Sequence, residues 1–358
     1  MSSANRPGIH ILGVGNVGKF IAHVIRLNCP NTPITFLFHR ESSVQNWNKA
    51  GKVLRCLSSD GIEEQSNGFG AETCRPAEEV GRSQSLIDRL IVATKSYATA
   101  SAIGPIKHRL GASSYVLFLQ NGMGALDEVT KLCFPDPSTR PRYWAGICSF
   151  GVYNREPFSI VHAGTGSLTL GEVGAAPGPI GEDNPFADLV LRCPALEAKL
   201  VGPTQFHKAQ VQKLVVNAVI NPLTVIFNCK NSGILAPTHD KLRKELIEES
   251  GRVVRHLVPE AEERTGGVGD LDLMQLVLSV AENTGENTSS MLQDVRAGRR
   301  TEIAYINGYL AAKGRKLGLP TPHNSKLVAI FQILEEMGSY KQGHGAQTAQ
   351  LLFWPHCR

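Results

Sequence analysis

The strongest constraint on this fold is a short apolar stretch that runs through three spaced glycines into an amphipathic segment. Ile9-His-Ile-Leu-Gly-Val14 reads as a strand, Gly13-Val14-Gly15-Asn16-Val17-Gly18 as a turn, and Lys19–Leu27 as a helix. That order is the context in which a G-x-G-x-x-G pattern carries meaning. Gly13 permits the tight turn, Gly15 lets backbone approach a pyrophosphate, and Gly18 lets helix and strand pack closely. The helix N-terminus then offers free amides and a partial positive charge to phosphates. A P-loop is nearly matched through Lys19, but the next residue is Phe20 where that loop needs Ser or Thr for magnesium. The alternative is a glycine turn that holds no ligand.

Pro33–His39 reads as a second buried strand, which completes a β-α-β unit. About twenty residues beyond the glycines, an NAD site places an acid on the ribose hydroxyls, whereas arginine suits a 2′-phosphate. The residue here is Arg40, followed by Glu41, so Arg40 reads as a phosphate clamp favouring NADPH. The competing reading is an exposed arginine paired with Glu41. Residues 42 to 85 are polar and weakly periodic, with only short candidate strands. Leu86–Ala93 resumes a strand that ends in Thr94-Lys95, and Tyr115–Leu119 is another, ending in Gln120-Asn121-Gly122. Carboxyl ends of parallel strands face the ligand crevice, which places Lys95 and Asn121 on its rim. A lone lysine after a strand is more often merely solvated. Trp144–Val152 and Phe158–Val173 read as an antiparallel addition to the sheet edge, and Gly174–Pro185 as a Gly/Pro-rich loop.

From about Gln205 helical periodicity takes over, through Lys208–Asn228, His239–Leu257, Leu271–Val280 and Thr301–Leu317. In the first of these, Lys213, Asn217 and Asn221 recur every fourth residue in an apolar run and so form one drifting row. The row suits a small oxygen-rich ligand, or else a solvated stripe. Pro222 removes a backbone donor and is expected to kink or end the helix there. Ser and Thr residues before Met291 are N-cap candidates, and Gly298 can stop a short helix. Glu302 then reads either as a first-turn carboxylate favoured by the helix dipole or as an acid facing a site.

The sequence therefore predicts an α/β Rossmann-type N-terminal domain over residues 1–204, an all-α domain over 205–340 and a polar, loosely held tail over 341–358. The net charge of +5 is mild and no basic block argues for nucleic acid. Eight scattered cysteines without a C-x-x-C pair read as reduced thiols, and no metal site is expected. No targeting segment or membrane-length apolar run is evident, so a cytoplasmic location is the default, with an organelle left open.

These stretches resemble the ketopantoate reductase (2-dehydropantoate 2-reductase) family over roughly residues 9 to 335. The likeness rests on the Gly13–Gly18 fingerprint, Arg40, Thr94-Lys95, Gln120–Gly124, Lys213–Thr224, Asn228–Gly233, Ser289-Ser290-Met291 and Thr301-Glu302-Ile303. The helix motif around Lys213 and the Ser-Ser-Met to Thr-Glu-Ile spacing are the specific parts. The resemblance implies a Rossmann domain and a helical domain with the active site in the cleft between them, NADPH as cofactor and a 2-keto acid as substrate. It makes Lys213 the acid and Glu302 its acidic companion, with Asn121, Asn217, Asn221, Asn231 and Ser290 as ligand contacts. The cofactor would lie along Gly13, Val14, Gly15, Asn16, Val17, Gly18, Arg40, Lys95 and Asn121. A homodimer is compatible with this reading. Reduction of another branched 2-keto acid, and a non-catalytic NADPH-binding sensor, are the alternatives. Retention of both Lys213 and Glu302 speaks against the sensor.

Overall fold

The computed structural model describes residues 8–80, 85–174, 185–258, 269–338 and 345–353. Two compact units emerge, Met1–Gln120 with Ala125–Phe206, and Asn121–Gly124 with His207–Arg358.

The first unit carries twelve described strands. They are β1 (Ile9–Leu12), β2 (Ile34–Phe38), β3 (Leu54–Ser58), β4 (Glu63–Ser66), β5 (Gly70–Thr73) and β6 (Arg89–Val92). After them come β7 (Tyr115–Phe118), β8 (Arg142–Cys148), β9 (Gly151–Glu156), β10 (Ser159–Gly164), β11 (Leu168–Val173) and β12 (Lys199–Leu200). The large sheet has the order β12-β11-β8-β7-β6-β1-β2-β5 and is parallel from β5 through β8. Strands buried on both faces read as unbroken apolar runs, as Leu90–Val92 and Val116–Phe118 do. Strand order reverses between β1 and β6, the point at which such sheets place a ligand at their carboxyl ends. This is the Rossmann-type architecture expected from the glycine turn.

Three expectations for this unit need correction. Of residues 42 to 85, those described carry most of helix α2 (Glu41–Lys49) and strands β3, β4 and β5, and 81–84 lie outside the described residues. Phe158–Val173 is two strands, and only β11 is an antiparallel addition, paired to β8. Strand β8 itself joins β7 in parallel, while β9 and β10 leave for a separate sheet of order β4-β3-β10-β9. The reason is non-local pairing. Strand β4 is Glu-Glu-Gln-Ser with three exposed positions, so it lacks an apolar signal, and β3 finds β10 a hundred residues away. Of the Gly174–Pro185 loop, residues 175–184 lie outside the described residues.

Helix α1 (Asn16–Asn28) packs against both sheets, and an aromatic cluster secures the second one. Trp47 of α2 meets Phe158 edge-on at 4.9 Å and Phe36 of β2 at 5.5 Å, while Phe36 stacks on Phe69 at 5.0 Å.

The second unit is helical throughout its described residues. Its helices are α3 (Pro203–Ile226), α4 (Asp240–Arg255), α5 (Asp270–Asn283), α6 (Ser290–Arg296), α7 (Asn307–Leu317), α8 (Pro322–Glu336) and α9 (Gly345–Phe353). The unit boundary after Phe206 falls one turn into α3. Val215, Leu246, Val277, Leu292, Leu310 and Phe331 are among its core residues. Helix α3 runs four residues past Pro222, within the Lys208–Asn228 segment expected to be helical, so the proline does not end it. Two corrections belong here as well. The expected helix over 301–317 is a 3₁₀ turn (Ile303–Tyr305), a break at Ile306 and then α7. The tail is no loose end over 345–353, because Ala349 and Phe353 of α9 are buried in the core and Lys326 sits over the Phe353 ring at 4.4 Å. No described helix is long and apolar enough to cross a membrane.

Trp47 is fully buried among three aromatic rings. Trp47→Ala is expected to lower the unfolding free energy by about 3–5 kcal/mol, the usual cost of emptying such a site. Denaturant unfolding monitored by circular dichroism checks it, and a loss under 1 kcal/mol would show that the second sheet does not depend on this cluster.

Candidate active site

In the first unit the carboxyl ends of β1, β6 and β7 are laced together. Ala93 N donates to Leu12 O at 2.8 Å and Leu119 N to Val92 O at 2.9 Å. Gly13 adopts φ +100°, and a Cβ there would stand 2.5 Å from Thr94 N. A Cβ on Gly18 would reach 2.1 Å from Gly13 O, so the turn and helix α1 touch backbone to backbone. Gly15 is the opposite case, with open space around its Cβ position at the N-cap of α1. No side chain caps this helix. Its first amides are therefore presented as phosphate donors beside a glycine that lets a ligand come close. Val14 and Val17 of the turn lean on the apolar core, and Asn16 donates to Val152 O at 3.3 Å.

Lys95 is half-buried three residues after β6, where its carbonyl accepts from Thr99 Oγ1 at 3.1 Å and starts a 3₁₀ turn. Arg40 is exposed and stands at the N-terminus of α2. Its neighbour Glu41 turns toward the end of β5, accepting from Thr73 Oγ1 at 2.7 Å and from Arg75 Nη2 at 3.3 Å. Those contacts, Thr73 foremost, hold the Glu41 carboxyl below the usual carboxylate range. Arg40 is thus not the partner of Glu41, which removes the plainest alternative to a phosphate role.

Lys19 points inward. Its ammonium donates to Asn154 Oδ1 on β9, and four residues on, His23 Nδ1 lies 2.8 Å from Ser66 Oγ on β4. Burial lowers the Lys19 pKa from 10.5 to about 8, so the near-match to a P-loop lysine is structural.

In the second unit, Lys213 and Asn217 are half-buried and Asn221 is buried along α3. Thr224 Oγ1 donates to Asn221 O at 2.8 Å and lies 2.6 Å from Ser289 Oγ, which also caps α6 by accepting from Leu292 N at 3.1 Å. This pair ties the asparagine row to the segment that begins with Ser290, whose own side chain is exposed. Asn231 donates Nδ2 to Thr284 Oγ1 at 2.9 Å, while its buried Oδ1 accepts no hydrogen bond. Glu302 is 5% exposed and opens the 3₁₀ turn, with Tyr305 N donating to its carbonyl at 3.0 Å.

Two hydrogen bonds fasten this turn to other candidate residues. Met123 N donates to Tyr305 O at 2.8 Å, so the Asn121–Gly124 turn docks beside Glu302. Gly122, at φ +78°, is required there because a Cβ would come within 2.4 Å of Tyr305 O. Asn307 Nδ2 donates to Ala218 O at 2.9 Å, joining the residue after the turn to the middle of the Lys213 row. The second unit therefore gathers Asn121, Glu302 and the α3 row. Thr224 and Ser289 fall in stretches the sequence singled out, Ser289 as an N-cap candidate, whereas Tyr305 and Asn307, which also hold the set together, carry no motif that sequence reading isolated.

Residues 9–175 match the family model described as ketopantoate reductase PanE/ApbA, and residues 205–335 match its C-terminal counterpart. The chain belongs to the ketopantoate reductase family. A 2-dehydropantoate 2-reductase of Yersinia pestis is 30% identical over 324 residues, covering 90% of this chain and 94% of that protein. A ketoisovalerate reductase of Beauveria bassiana is 26% identical over 385 residues, covering 89% of this chain and 81% of its own. Among solved structures, D-mandelate dehydrogenase with NADH and anilino(oxo)acetate shares the fold at a TM-score of 0.77 and 22% identity, over 93% of this chain and 99% of that one. This family member is an oxidoreductase of CH–OH groups that works with a nicotinamide cofactor.

The Lys19 environment yields a pH test. Its pKa is about 8 folded against 10.5 ordinarily, so the unfolded chain binds that proton more tightly. The penalty is full below pH 8 and fades as pH rises through 8 toward 10.5. Lys19→Met should raise stability by up to about 3 kcal/mol near pH 7 and by little above pH 10. Denaturant midpoints across that range check it, and a pH-independent difference would refute the buried-ammonium reading.

Proposed function

We propose that the protein reduces 2-dehydropantoate to (R)-pantoate with NADPH, the step that feeds pantothenate and coenzyme A synthesis. The observation that carries this reading is the joining, within one unit, of the Lys213–Asn217–Asn221 row to the Glu302 turn through Asn307 and Ala218. NADPH, when bound, supplies the hydride that goes to the ketone carbon. Lys213 donates a proton from Nζ to the carbonyl oxygen as that oxygen becomes an alkoxide. An ordinary lysine, with a pKa of about 10.4, holds that proton at neutral pH, and such general-acid help accelerates a reaction about 10²–10⁴-fold. Glu302 keeps the ammonium charged and aimed, and Ser290, exposed at the N-terminus of α6, takes the substrate carboxylate.

Selectivity follows from the asparagines. Asn231 Oδ1 is a buried acceptor that takes no hydrogen bond from the protein. A terminal hydroxyl on the substrate satisfies it, with Asn217 and Asn221 alongside, whereas a plain branched keto acid leaves it unpaired. Buried polar groups left unpaired are the strongest basis for rejecting an analogue. The ketoisovalerate reductase relative favours the second reading, a branched 2-keto acid without that hydroxyl. Oxidation of NADPH followed at about 340 nm with each acid separates the two, and a preference for 2-ketoisovalerate would defeat the first.

The cofactor choice rests on Arg40. Amides of the Gly13–Gly18 turn hold the pyrophosphate, Lys95 lines the approach to the nicotinamide end, and Arg40 meets the 2′-phosphate. Glu41 would favour NADH by binding ribose hydroxyls, but Thr73 and Arg75 both hold its Oε2 and turn the carboxylate toward the end of β5. Arg40→Ala should raise KM for NADPH tenfold or more, by roughly 1.4 kcal/mol, and leave KM for NADH nearly unchanged. Equal effects on both would remove the clamp.

Lys213→Ala should bind NADPH with unaltered affinity, measured by fluorescence titration, while kcat falls by about 10²-fold or more. Turnover near that of the unaltered protein would take Lys213 out of the acid role.

A further inference from the structure

Pro222 lies inside α3 and has no N–H, so the carbonyl of Ala218, four residues earlier, loses its helical donor. The helix nonetheless continues to Ile226. The missing donor comes from Asn307, whose Nδ2 stands 2.9 Å from Ala218 O and 2.9 Å from Asn324 Oδ1. Two acceptors on one amide nitrogen fix which way this carboxamide faces. Asn324 passes its own Nδ2 to Glu249 Oε1 at 2.8 Å. Glu249 closes the chain from α4, accepting also from His323 N at 3.0 Å and Asn324 N at 2.8 Å. Those amides follow Pro322 at the start of α8, so the carboxylate caps that helix from outside. Asn307 and Asn324 are fully buried and Glu249 is 1% exposed.

We propose that Asn307, Asn324 and Glu249 are positioning residues that hold the Glu302 turn in register with the Lys213 row. This inference rests on the reading of Lys213 and Glu302 as the proton-donating pair. Ala218 adjoins Asn217 in the row, and Asn307 follows Glu302 by five residues. Between Glu302 and Asn307 the backbone makes one 3₁₀ turn and then a break at Ile306, at φ −107° and ψ −88°. Apolar burial of Ile303 and Ile306 holds that segment inward but is non-directional. The hydrogen-bonded relay supplies direction. It crosses α3, α7, α8 and α4, and every buried member depends on the next for its partner, so the relay fails as a unit.

The test uses four full-length proteins: unaltered, Asn307→Ala, Pro222→Ala and the double variant. Asn307→Ala leaves the Ala218 carbonyl buried without a donor, and Tm is expected to fall by about 2–4 °C or more. Its kcat with 2-dehydropantoate should fall by about tenfold to a hundredfold, as misplaced catalytic groups do, while KM for NADPH stays unchanged. Pro222→Ala restores a backbone N–H to Ala218 O, so in that background Asn307→Ala should cost less Tm yet still lose kcat. Equal Tm losses in both backgrounds would show that Asn307 does not serve the carbonyl that Pro222 strands. An unchanged kcat would remove the positioning role. Asn307→Asp, the same size but without the amide donors, is the second variant should Asn307→Ala fail to fold, and full activity there would also overturn the proposal. If the unaltered protein does not turn over 2-dehydropantoate, the functional reading falls separately, because the Tm cycle needs no substrate.

Discussion

A single stranded carbonyl organises the helical unit. Helix α3 has 24 residues, and a proline near its end should break its ladder at Ala218. A buried carbonyl without a donor costs about 1–3 kcal/mol, enough to end a helix or bend it away from its neighbours. Asn307 removes that cost from outside the helix. The bond does more than repair, because it joins the chain just past Glu302 to the strip of α3 that bears Lys213, Asn217 and Asn221. Stability and site geometry therefore share one interaction. The buried Glu249 carboxylate at the far end is held by donors on α8, including two helix N-terminal amides, so this anion is compensated.

The nucleotide unit solves a different problem. Its parallel sheet must bring several strand ends level while a helix N-terminus stays open to phosphate. Gly13 and Gly18 permit this through backbone contact, and the second sheet holds α1 from its other side through Lys19, His23 and Phe20. Lysine is an expensive choice for such a face, and its depressed pKa is the sign of that cost. The polar helix face that would ordinarily meet water instead meets Asn154 and Ser66, which take the Lys19 ammonium and His23 Nδ1.

The chemistry asks little of unusual groups. Polarising a ketone requires a charged donor, and choosing among keto acids requires acceptors that only the correct substrate satisfies. An asparagine anchored through Nδ2 to Thr284, with Oδ1 left over, is suited to the second task. Such a group discriminates by its discomfort when unpaired, which is why a hydroxyl is a stronger specificity handle than a methyl.

The glycine turn, the strands that flank it, the helical character after residue 205 and the Lys213 row were legible in the chain, because each is a local pattern with its own period. The place of Arg40, just after β2, was legible as well. The second sheet was not, since β4 has no apolar face to announce it and β3 pairs with β10 across a hundred residues. Nor was the burial of α9, because local rules know only that the tail looks polar. Sequence alone thus determined which elements form and which of them bear the glycine turn, the arginine and the lysine–asparagine row. Tertiary structure decided which side chain completes an interrupted helix and which carboxylate is buried, because a partner's position depends on packing between segments far apart in the chain.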